Sequence, residues 1–508
     1  MKRLSVVTLE SSSIKILTAK INYDGYFKII DEIITPISTS EIFLHHKFLS
    51  EKILLEIDNI LNSYSLVSSN FNSDEVISMA TSIYNDISNK DALSNLFIKN
   101  LNSNLKYLSN KDEAYYDYLN LSNSIYYKSA LVIETAGYST NFCMISNKKI
   151  INSMTLPIGS INISYTYNLQ DRASKENLSS ALTHIHKELL KLKAFKTMKY
   201  DSVYFIGDTI QCLNRIDRYK KNLPLTIAHN YITSDVSLID IFNIVKSKSH
   251  VQRNRLEGMS SHLASTIVGG AAIIYEIIDY FKASTITISN RNINDSIIFE
   301  YIDNNYDHIE DILDYSLYGM INNLNINKKH AKHIYDLTLL LFNKLKPLHR
   351  LNSSYEKVIK TASLLHDAGI SINYYNHHKH SFYLILSSYI NGLTHKELFL
   401  SASIAASHRN RDNYNFSFGE YAPFANKYDT MVINKISILL RIAESLDISM
   451  NSSVKDIDLE ITENSVILDI IADKDITLEI TEARKCIRKF KEIYDRNLII
   501  NINKTPYK

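Results

Sequence analysis

The sequence predicts an α/β protein of two similar lobes, followed by a helical domain and a small α+β domain at the C-terminus. Two apolar runs around a small-residue turn open the chain, and the same plan recurs near residue 129. Near residue 310 the pattern changes to that of long amphipathic helices. From about residue 455, apolar and polar residues alternate again, as is typical of strands. A chain of 508 residues is also too long for a single core, so several domains are expected.

The first lobe is expected to span residues 1–125. Its apolar runs at residues 4–7 and 14–19 flank a turn of three serines, which predicts two strands joined by a tight loop. Residues 48–63 then carry apolar side chains at helical spacing. Two strands followed by a helix indicate an α/β layer.

The second lobe is expected to span residues 126–305 and to repeat this plan. The apolar run at residues 131–133 leads into a small-residue loop, residues 142–145 form a second strand, and Lys148 and Lys149 mark the end of a hairpin. The two halves are alike in layout rather than in residues. Two such lobes with facing loops would form a cleft, which is the usual place for a ligand.

A helical domain at residues 306–454 and an α+β domain at residues 455–508 complete the predicted architecture. In the helical domain, two successive helices carry apolar residues three and four positions apart. These residues are Ala331, Ile334, Leu337, Leu341 and Leu345 in one helix and Val358, Ala362 and Leu365 in the next. The C-terminal stretch is typical of two strands with a turn at Glu463 and Asn464, followed by a helix over residues 482–494.

The charge composition excludes one class of protein. The 56 Lys and Arg residues nearly balance the 54 Asp and Glu residues, which leaves a net charge of +2. The chain therefore lacks the global basic field of a non-specific nucleic-acid binder, and we expect no nucleic-acid partner. A polyanionic substrate would have to be met by a local cleft.

Cysteine spacing and hydropathy indicate a protein of a reducing compartment. Cys143, Cys212 and Cys486 lie far apart without a CxxC pair, which argues against a disulfide framework or a thiolate zinc site. The N-terminal apolar run breaks at Glu10 before a signal-peptide core is complete, and no stretch reaches the roughly 18 uninterrupted apolar residues of a membrane span. We expect a cytoplasmic protein with no membrane partner.

Six short stretches occur in a characteristic order along the chain. They are VVTLESSSIKIL, LSNKDEAYYDYL, VIETAGYSTNF, TLPIGSINIS, FIGDTIQCL and STIVGGAAII. In these motifs and their approximate spacing the sequence resembles the exopolyphosphatase and guanosine pentaphosphate phosphatase (Ppx/GppA) family over nearly its whole length. The resemblance implies an α/β fold of two actin/Hsp70-like (RNase H-like) lobes. It also implies release of terminal orthophosphate from inorganic polyphosphate or guanosine pentaphosphate (pppGpp), with Mg²⁺ or Mn²⁺, by a homodimer.

The same resemblance implies roles for individual residues. Glu113, in Asp112-Glu113-Ala114, is the expected general base that activates water, and Glu134 is an expected metal ligand. Small-residue turns let backbone N–H groups approach phosphate oxygens, while carboxylates hold the metal. The residues expected to contact phosphate are Ser11, Ser12, Ser13, Ser139, Thr140, Gly207 and Thr209.

Several loop positions depart from the family pattern. In the first loop, Thr8 and Glu10 replace an aspartate and a glycine, and in the second loop Asn141 replaces a glutamate. Two glycines of the second loop are replaced by Ala136 and Tyr138. In the third loop, where the family pattern has Gly-Gly-Thr, Asp208 replaces the second glycine and puts a negative charge where an anion would lie. We predict from these changes that phosphohydrolysis in this cleft is weak or lost.

The helical domain carries a second set of residues of metal-binding type. In chain order these are His330, His366, Asp367, His380, His408 and Asp447. The order resembles that of an HD-type phosphohydrolase domain, and it implies a bound transition metal, Mn²⁺ or Mg²⁺. Glu444 stands where many HD enzymes have the distal aspartate, so either Glu444 or Asp447 can close the site.

Three interpretations of the whole chain remain open. The first is a phosphohydrolase that acts in the cleft with Mg²⁺ and with Glu113 as base. The second is a metal-dependent nucleotide phosphohydrolase that acts through the HD-type domain. The third is a non-catalytic sensor that binds a phosphate ligand and signals by lobe closure. A purely structural role of the helical domain is the alternative to metal binding there.

Overall fold

The chain folds as two compact units. The computed structural model describes residues 1–37, 47–225, 227–307, 309–408, 421 and 424–503. One unit comprises Met1–Asn222 and Ile227–Ile312, and the other comprises Leu223–Thr226 and Leu313–Lys508. The second unit thus begins a few residues after the boundary that the sequence predicts. Among the described residues, no helix is both long and apolar enough to cross a membrane.

A five-stranded sheet forms the first lobe. Its strands are β1 (Lys2–Leu9), β2 (Ser13–Ile21), β3 (Phe27–Pro36), β4 (Glu75–Ala80) and β5 (Leu105–Tyr107). They lie in the order β3-β2-β1-β4-β5, with β1 antiparallel to β2 and parallel to β4. Leu9 pairs with Ile14, which places the serine turn at the end of the β1–β2 hairpin and confirms the predicted strand pair.

Helices cover this sheet with apolar side chains. They are α1 (Glu51–Asn70), α2 (Lys90–Leu101) and α3 (Asn110–Ser122), with a short 3-10 helix at Ser82–Asp86. Ile57 of α1 and Phe97 of α2 lie in one buried core with Val7 of the sheet. Full burial of each such side chain contributes roughly 1.5–3 kcal/mol. The helix predicted at residues 48–63 is therefore confirmed, and it is longer than expected.

A six-stranded sheet forms the second lobe. Its strands are β6 (Ser129–Thr135), β7 (Thr140–Ser146), β8 (Lys149–Leu156), β9 (Ser202–Ile206), β10 (Tyr231–Ser234) and β11 (Thr285–Ile288). They lie in the order β10-β11-β9-β6-β7-β8. Asn147 and Lys148 have φ values of 50° and 57° at the tip of the β7–β8 hairpin, as in a two-residue type I′ turn. The hairpin expected at Lys148 and Lys149 therefore turns one residue earlier.

Six α-helices and two 3-10 helices are described for the second lobe. The α-helices are α4 (Ser160–Thr166), α5 (Lys175–Leu189), α6 (Asp208–Lys220), α7 (Asp235–Lys246), α8 (His250–Asn254) and α9 (Ile267–Phe281). The 3-10 helices are Leu190–Lys196 and Ser261–Leu263. Helix α9 is apolar on nearly all sides because it packs against α4, α5 and α7.

Helix α10 (Ile293–Asn305) returns from the second lobe to the first. Asn292 caps its N-terminus by accepting a hydrogen bond from the N–H of Asn294 (2.8 Å). Thr8 of β1 donates its hydroxyl proton to Oδ1 of Asn294 (2.7 Å), and α10 also packs against α3. The sequence prediction assigns α10 to the second lobe, but this helix packs on the first lobe.

The second unit is mainly helical, as predicted. Its helices are α11 (Ile312–Asn323), α12 (Lys328–Lys344), α13 (Lys346–His349), α14 (Glu356–Leu365), α15 (His377–Leu386), α16 (His395–Ala406) and α17 (Lys427–Ser445). Short 3-10 helices lie at Ser353–Tyr355 and Ala368–Ser371. Helices α12, α14, α16 and α17 pack on one another, and the predicted apolar faces of α12 and α14 are buried between them.

A three-stranded sheet with two helices ends the second unit. Its elements are β12 (Val454–Ile461), β13 (Ser465–Ala472), α18 (Thr477–Arg484), α19 (Ile487–Tyr494) and β14 (Asn497–Asn503). Strand β13 lies in the middle, antiparallel to β12 and parallel to β14. The predicted strand pair is confirmed. The single helix predicted over residues 482–494 is wrong, because the chain turns at Lys485 and Cys486 between two shorter helices.

Candidate functional site

A cavity of about 420 Å³ in the first unit is lined by residues of both lobes. Two tight turns, one at the end of each lobe's first hairpin, contribute to its wall. The N–H of Glu10 donates to the carbonyl of Ser13 (2.9 Å), and the N–H of Ala136 donates to the carbonyl of Ser139 (3.0 Å). Residues around the cavity include Glu10, Ser11, Ser12, Lys15, Glu113, Asp117, Glu134, Ser139, Gly207, Asp208 and Thr209.

Two glycines are required by the geometry of these turns. A Cβ atom at Gly137 would lie 2.6 Å from Oγ of Ser11, so the first and second turns approach each other only because this side chain is absent. Gly207 has φ +103°, a conformation that residues with a side chain rarely adopt, and it directly precedes α6. The turns keep glycine at these two positions even though other glycines of the family pattern are replaced.

The predicted phosphate-contacting residues divide into two groups. Those that line the cavity are Ser11, Ser12, Ser139, Gly207 and Thr209. Thr140 instead donates its hydroxyl proton to the carbonyl of Ile158 (2.6 Å), and the hydroxyl of Ser13 is buried at the start of β2. The expectation of phosphate contact through these two hydroxyls is therefore corrected, because both are enclosed within the lobes.

Glu113 lies in the first turn of α3 and faces the cavity. Ser109 caps this helix and forms a reciprocal capping box with Asp112, which fixes where the helix begins. Glu113 is 7% exposed. One of its carboxylate oxygens accepts from the N–H of Ser82 (2.7 Å), and the other accepts from the side-chain amide of Asn141 (3.1 Å). Burial raises the pKa of Glu113, although both hydrogen bonds oppose the shift.

Glu134 is the second-to-last residue of β6, and it shares the amide of Asn141 with Glu113. The Asn141 amide donates to a carboxylate oxygen of Glu134 (3.1 Å), while its own oxygen accepts from the hydroxyl of Thr155 (2.8 Å). Burial in the cavity wall, with the charges of Glu113 and Glu10, raises the pKa of Glu134 to about 8. Burial also raises the pKa of Asp117, again with neighbouring carboxylates. These acids form one interacting group.

Lys15 is paired with the two acidic residues that depart from the family pattern. Its ammonium lies 2.9 Å from a carboxylate oxygen of Glu10 and 3.6 Å from one of Asp208. The Lys15 side chain is 4% exposed. Burial alone would lower the pKa of Lys15, but the charges of Asp208 and Glu10 outweigh burial and raise it. A lysine in the phosphate loop is thus already neutralised by the protein.

The cavity residues fit a Mg²⁺ ion of the kind that the family resemblance implies. Mg²⁺ in proteins is usually held by one or two carboxylates, waters and substrate phosphate oxygens rather than by a complete cage of protein ligands. Glu134 and Glu113 offer two carboxylates on facing sides of Asn141. The raised pKa of Glu134 indicates a site that would bind a cation in exchange for a proton.

The second unit contains a buried cluster of imidazole and carboxylate groups. Nε2 of His330 and Nε2 of His366 lie 3.2 and 3.1 Å from the same oxygen of Glu444. Oδ2 of Asp367 lies 3.4 Å from Nε2 of His366 and 4.0 Å from Nε2 of His330. The other oxygen of Asp367 lies 3.1 Å from Nε2 of His377 and 3.8 Å from Nε2 of His408.

The ends of five helices bring these side chains together. His330 lies in the first turn of α12, where Asn327 accepts a hydrogen bond from the His330 N–H. The other cluster residues lie at the end of α14, the start of α15, the end of α16 and the last turn of α17. Because helix ends are fixed by caps and by packing, the ligand atoms are held by the core of the unit rather than by a loop.

Protonation in the cluster follows from its burial and charges. Burial, with the positive charge of His366, lowers the pKa of His408 to about 3. Burial alone would raise the pKa values of Asp367 and Glu444, but the positive charge of His366 and nearby hydrogen bonds hold both below their ordinary range. Burial also opposes charge on His330, yet hydrogen bonds to Asp447 and Glu444 raise its pKa to about 9. The two carboxylates facing the centre are therefore anionic.

The structure revises two of the ligands expected from the sequence. His380 is half-buried and packs beside Gly369, whereas His377, three residues earlier, reaches Asp367. Asp447 accepts from Nδ1 of His330 (2.8 Å), so it lies behind that imidazole rather than in the centre. Of the two residues considered for closing the site, Glu444 faces the centre. The sequence NHHKH contains three histidines, and the packing of α15 determines that His377 is the one that contacts Asp367.

The chain matches two family models. Residues 20–305 match the Ppx/GppA phosphatase family, and residues 312–482 match Ppx/GppA phosphatase domain III. One similar protein is the guanosine-5'-triphosphate,3'-diphosphate pyrophosphatase of Aeromonas hydrophila, 23% identical over 300 residues, or 58% of each chain. Another is the bifunctional 3-dehydroquinate synthase/phosphatase of Fusobacterium nucleatum, 22% identical over 59% of this chain and 46% of that protein. The match thus covers about half the length of these curated relatives.

Solved structures share the fold of the first unit. A Ppx/GppA family member from Aquifex aeolicus aligns with a TM-score of 0.53 at 20% identity, over 60% of this chain and 99% of that one. An exopolyphosphatase from Cytophaga hutchinsonii aligns with a TM-score of 0.56 at 15% identity, over 60% and 98%. At these identities the likeness establishes the actin-like fold. With family models matched along both units, the chain belongs to the Ppx/GppA phosphatase family.

Proposed function

We propose that the first unit hydrolyses a terminal phosphoanhydride bond, slowly, with Glu113 as the general base. The observation that carries this proposal is the position of Glu113. Its carboxylate is buried, faces the cavity and is fixed by two hydrogen-bond donors on opposite oxygens. A general base must be held within reach of the proton that it accepts, and the two hydrogen bonds hold the Glu113 carboxylate at the cavity.

Glu113 would act on a water molecule aligned with the terminal phosphorus. The carboxylate accepts a proton from that water as its oxygen bonds to phosphorus, the bridging P–O bond breaks, and the shortened phosphate chain leaves with the bond electrons. Burial raises the pKa of Glu113, which makes it a stronger base than an exposed glutamate. Mg²⁺, held by Glu134, would supply positive charge to the phosphate oxygens.

The serine turns and the start of α6 would hold the phosphate chain. Ser11, Ser12 and Ser139 line the cavity with small side chains that can donate hydrogen bonds to phosphate oxygens. Helix α6 begins at the cavity, and helix N-termini favour anions. Asp208 in its first turn and Glu10 opposite oppose that attraction, which is why we propose a slow reaction.

The substrate class is taken from the names of similar proteins. Relatives are named as pyrophosphatases of guanosine-5'-triphosphate,3'-diphosphate, and one similar structure is named an exopolyphosphatase. Both substrates present a terminal anhydride to the same loops. We propose that one or both of these polyanions is the substrate here.

Orthophosphate release from pppGpp and from long-chain polyphosphate, each with Mg²⁺ and with Mn²⁺, tests the proposal. Glu113→Gln keeps the shape and one acceptor oxygen but removes the base, so we expect a loss of about 100-fold or more. Asp112→Asn is the matched control, because it makes the same change one residue away on a partly exposed side chain that still accepts at the helix cap. The control should retain activity within about twofold.

Three outcomes would contradict the assignment. Equal activity of wild type and Glu113→Gln would remove the proposed base. Activity that survives Glu113→Gln but is lost with His366→Ala would locate hydrolysis in the second unit. Tight binding of either polyanion without any orthophosphate release would make the protein a sensor rather than an enzyme.

A further inference from the structure

We propose that the cavity of the first unit binds a linear organic diamine or polyamine, whose ammonium groups contact two separate sets of carboxylates. The first set is Glu10 with Asp208, and the second set is Glu113, Asp117 and Glu134. Binding of such a cation requires no turnover, so the inference stands or falls independently of the proposed hydrolysis. The charge of the cavity wall, two unpartnered polar groups and the aromatic lining carry it.

Negative charge dominates the wall of the cavity. Among the described residues that line it, Lys15 is the only lysine or arginine. The imidazole of His262 also lines the cavity, but burial lowers its pKa, so this ring adds no positive charge at neutral pH. The acidic lining residues are Glu10, Glu56, Glu113, Asp117, Glu134 and Asp208. The wall therefore attracts cations.

The first set of carboxylates keeps an uncompensated charge. The ammonium of Lys15 lies 2.9 Å from Glu10 and 3.6 Å from Asp208, so one positive charge is shared between two negative charges. The side chains of Glu10 and Asp208 are 20% and 37% exposed, so both carboxylates can be reached from the cavity. An ammonium group of a ligand can therefore approach this pair and complete its neutralisation.

The second set of carboxyl groups has only neutral hydrogen-bond donors around it. Glu113 accepts from the N–H of Ser82 and from the amide of Asn141, which also donates to Glu134. Asp117 follows Glu113 by one turn of α3, so the two side chains lie on the same face of this helix. Among the described residues, no ammonium or guanidinium group forms an ion pair with any of these three acids.

Two buried polar groups in the cavity wall lack hydrogen-bond partners. Asp117 is 7% exposed, and none of the described residues donates a hydrogen bond to its carboxyl group. Burial, with the charges of Glu134 and Glu113, raises the pKa of Asp117, as expected for a carboxyl group without a positive partner. The buried hydroxyl of Thr135 also has no partner in the part of the chain that the structure describes. Both residues line the cavity, so a ligand with N–H donors would satisfy them.

A single metal ion does not compensate both sets of carboxylates. Within the described residues, three metal-binding side chains gather within 4.8 Å of one another only in the second unit. The Mg²⁺ ion proposed for Glu113 and Glu134 would therefore leave the charge of Glu10 and Asp208 as it is. A linear diamine carries two positive charges separated by its alkyl chain, so one molecule can serve both sets.

The remaining lining suits the alkyl chain and the ammonium groups of such a ligand. Three tyrosines, Tyr116, Tyr138 and Tyr165, line the cavity, and a tyrosine ring attracts cations through its π face. Tyr138 stands where the family pattern has a glycine, so one of these rings is a departure from that pattern. Apolar side chains that can contact methylene groups are Ile37, Ile161, Ile206 and Leu263.

Isothermal titration calorimetry of the full-length chain with putrescine (1,4-diaminobutane) and with n-butylamine tests the proposal. The buffer contains no divalent cation, and its pH is about 8.5, at which alkylamines are still protonated. We expect one saturable site that binds putrescine at least about 10-fold more tightly than n-butylamine, because only the diamine reaches both sets of carboxylates. Asp117→Asn should weaken putrescine binding by about 10-fold or more. Asp112→Asn makes the same exchange on the same helix outside the cavity lining, and it should bind putrescine within about twofold of wild type.

A second variant keeps the test independent of Asp117. Glu10→Gln/Asp208→Asn neutralises the first set and should remove the preference for putrescine over n-butylamine, while circular dichroism confirms that each variant is folded. Absence of saturable putrescine binding up to about 10 mM would overturn the proposal. Equal affinity of wild type and both variants, or equal affinity for the two amines, would do the same. Orthophosphate release does not enter this measurement, so a cleft that binds putrescine without hydrolysing any anhydride would support this inference and contradict the proposed function alone.

Discussion

At the scale of single residues, the altered loop positions of the cleft act through Lys15. Glu10 and Asp208 stand where the family pattern has glycines, and both carboxylates pair with the buried ammonium. A phosphate chain that entered the cavity would have to displace them. The slow reaction that we propose would thus have a specific structural cause, which is a lysine neutralised from within the protein.

Restoring both glycines should raise activity. In Glu10→Gly/Asp208→Gly, Lys15 is free to contact a phosphate oxygen, and a hydrogen bond between charged groups of about 1.5–3 kcal/mol corresponds to roughly 10–100-fold in kcat/KM. Initial rates of orthophosphate release measure the change. Glu56→Gln, which removes a cavity charge that is not paired with Lys15, should change kcat/KM by less than about threefold. A double variant no faster than wild type would show that Lys15 is not the limiting group.

Asn141 should set the acidic limb of the pH–rate profile. Its amide stabilises the ionised form of Glu113, whose pKa burial already raises above the ordinary value. Asn141→Ala removes that donor, so the pKa of Glu113 rises further and the base is protonated up to a higher pH. We expect the acidic limb of kcat/KM to move to higher pH in this variant. A limb that stays in place would mean that another group titrates there.

The residues of the metal cluster show how far sequence reasoning reaches. The order of histidines and aspartates indicates four of the cluster members, His330, His366, Asp367 and His408. It does not separate His377 from His380, because both lie on α15 and only the packing of its N-terminus beside Gly369 decides which one faces inward. The choice of Glu444 over Asp447 likewise depends on where α17 ends.

At the scale of elements, the predictions that succeed are those that depend on local pattern. The first hairpin, α1, the strand pair β12–β13 and the amphipathic helices α12 and α14 each follow from periodicity within a short window. The errors arise where a distant contact decides the outcome. Strand β14 forms because it pairs with β13, and α10 leaves its own lobe because β1 and α3 provide its packing surface.

The N-cap of α10 should be a measurable part of the stability of the first unit. The side-chain oxygen of Asn292 accepts from the N–H groups of Asn294 and Asp295, and the N–H of Asn292 donates to a carboxylate oxygen of Asp295 (2.9 Å). We expect Asn292→Ala to lower the free energy of unfolding by about 1 kcal/mol, measured by urea denaturation. Asn305→Ala, at the exposed end of the same helix, should change it by less than about 0.5 kcal/mol. Equal effects of the two substitutions would argue against a capping role.

At the scale of the whole molecule, the chain joins two units with separate cores and separate candidate sites. The first unit presents acidic groups and one buried lysine to a cavity between its lobes. The second presents imidazoles and carboxylates at the centre of a helical core. Ligands of one site should therefore stabilise that unit and leave the other unchanged.

Differential scanning calorimetry of the full chain can separate the two units. In a chain that carries Glu134→Gln, so that the cleft holds no ion, we expect two unfolding transitions, and Mn²⁺ added at about 100 times its dissociation constant should stabilise one of them by roughly 2.7 kcal/mol. Asp367→Ala should abolish this shift, whereas Glu113→Gln should not. A Mn²⁺ shift that survives Asp367→Ala would place the stabilising ion outside the helical cluster.

The return of α10 to the first lobe has a consequence for biosynthesis. Thr8 and Asn294 are 286 residues apart, yet their side chains bond directly. While the ribosome elongates at about 5–20 residues per second, roughly 15–60 s separate the emergence of these two residues. Throughout that interval the nascent first sheet lacks the helix that packs on β1, so side chains that this helix covers in the folded chain are open to contacts with other molecules. Conditions that slow translation between these positions should therefore increase aggregation of the nascent chain.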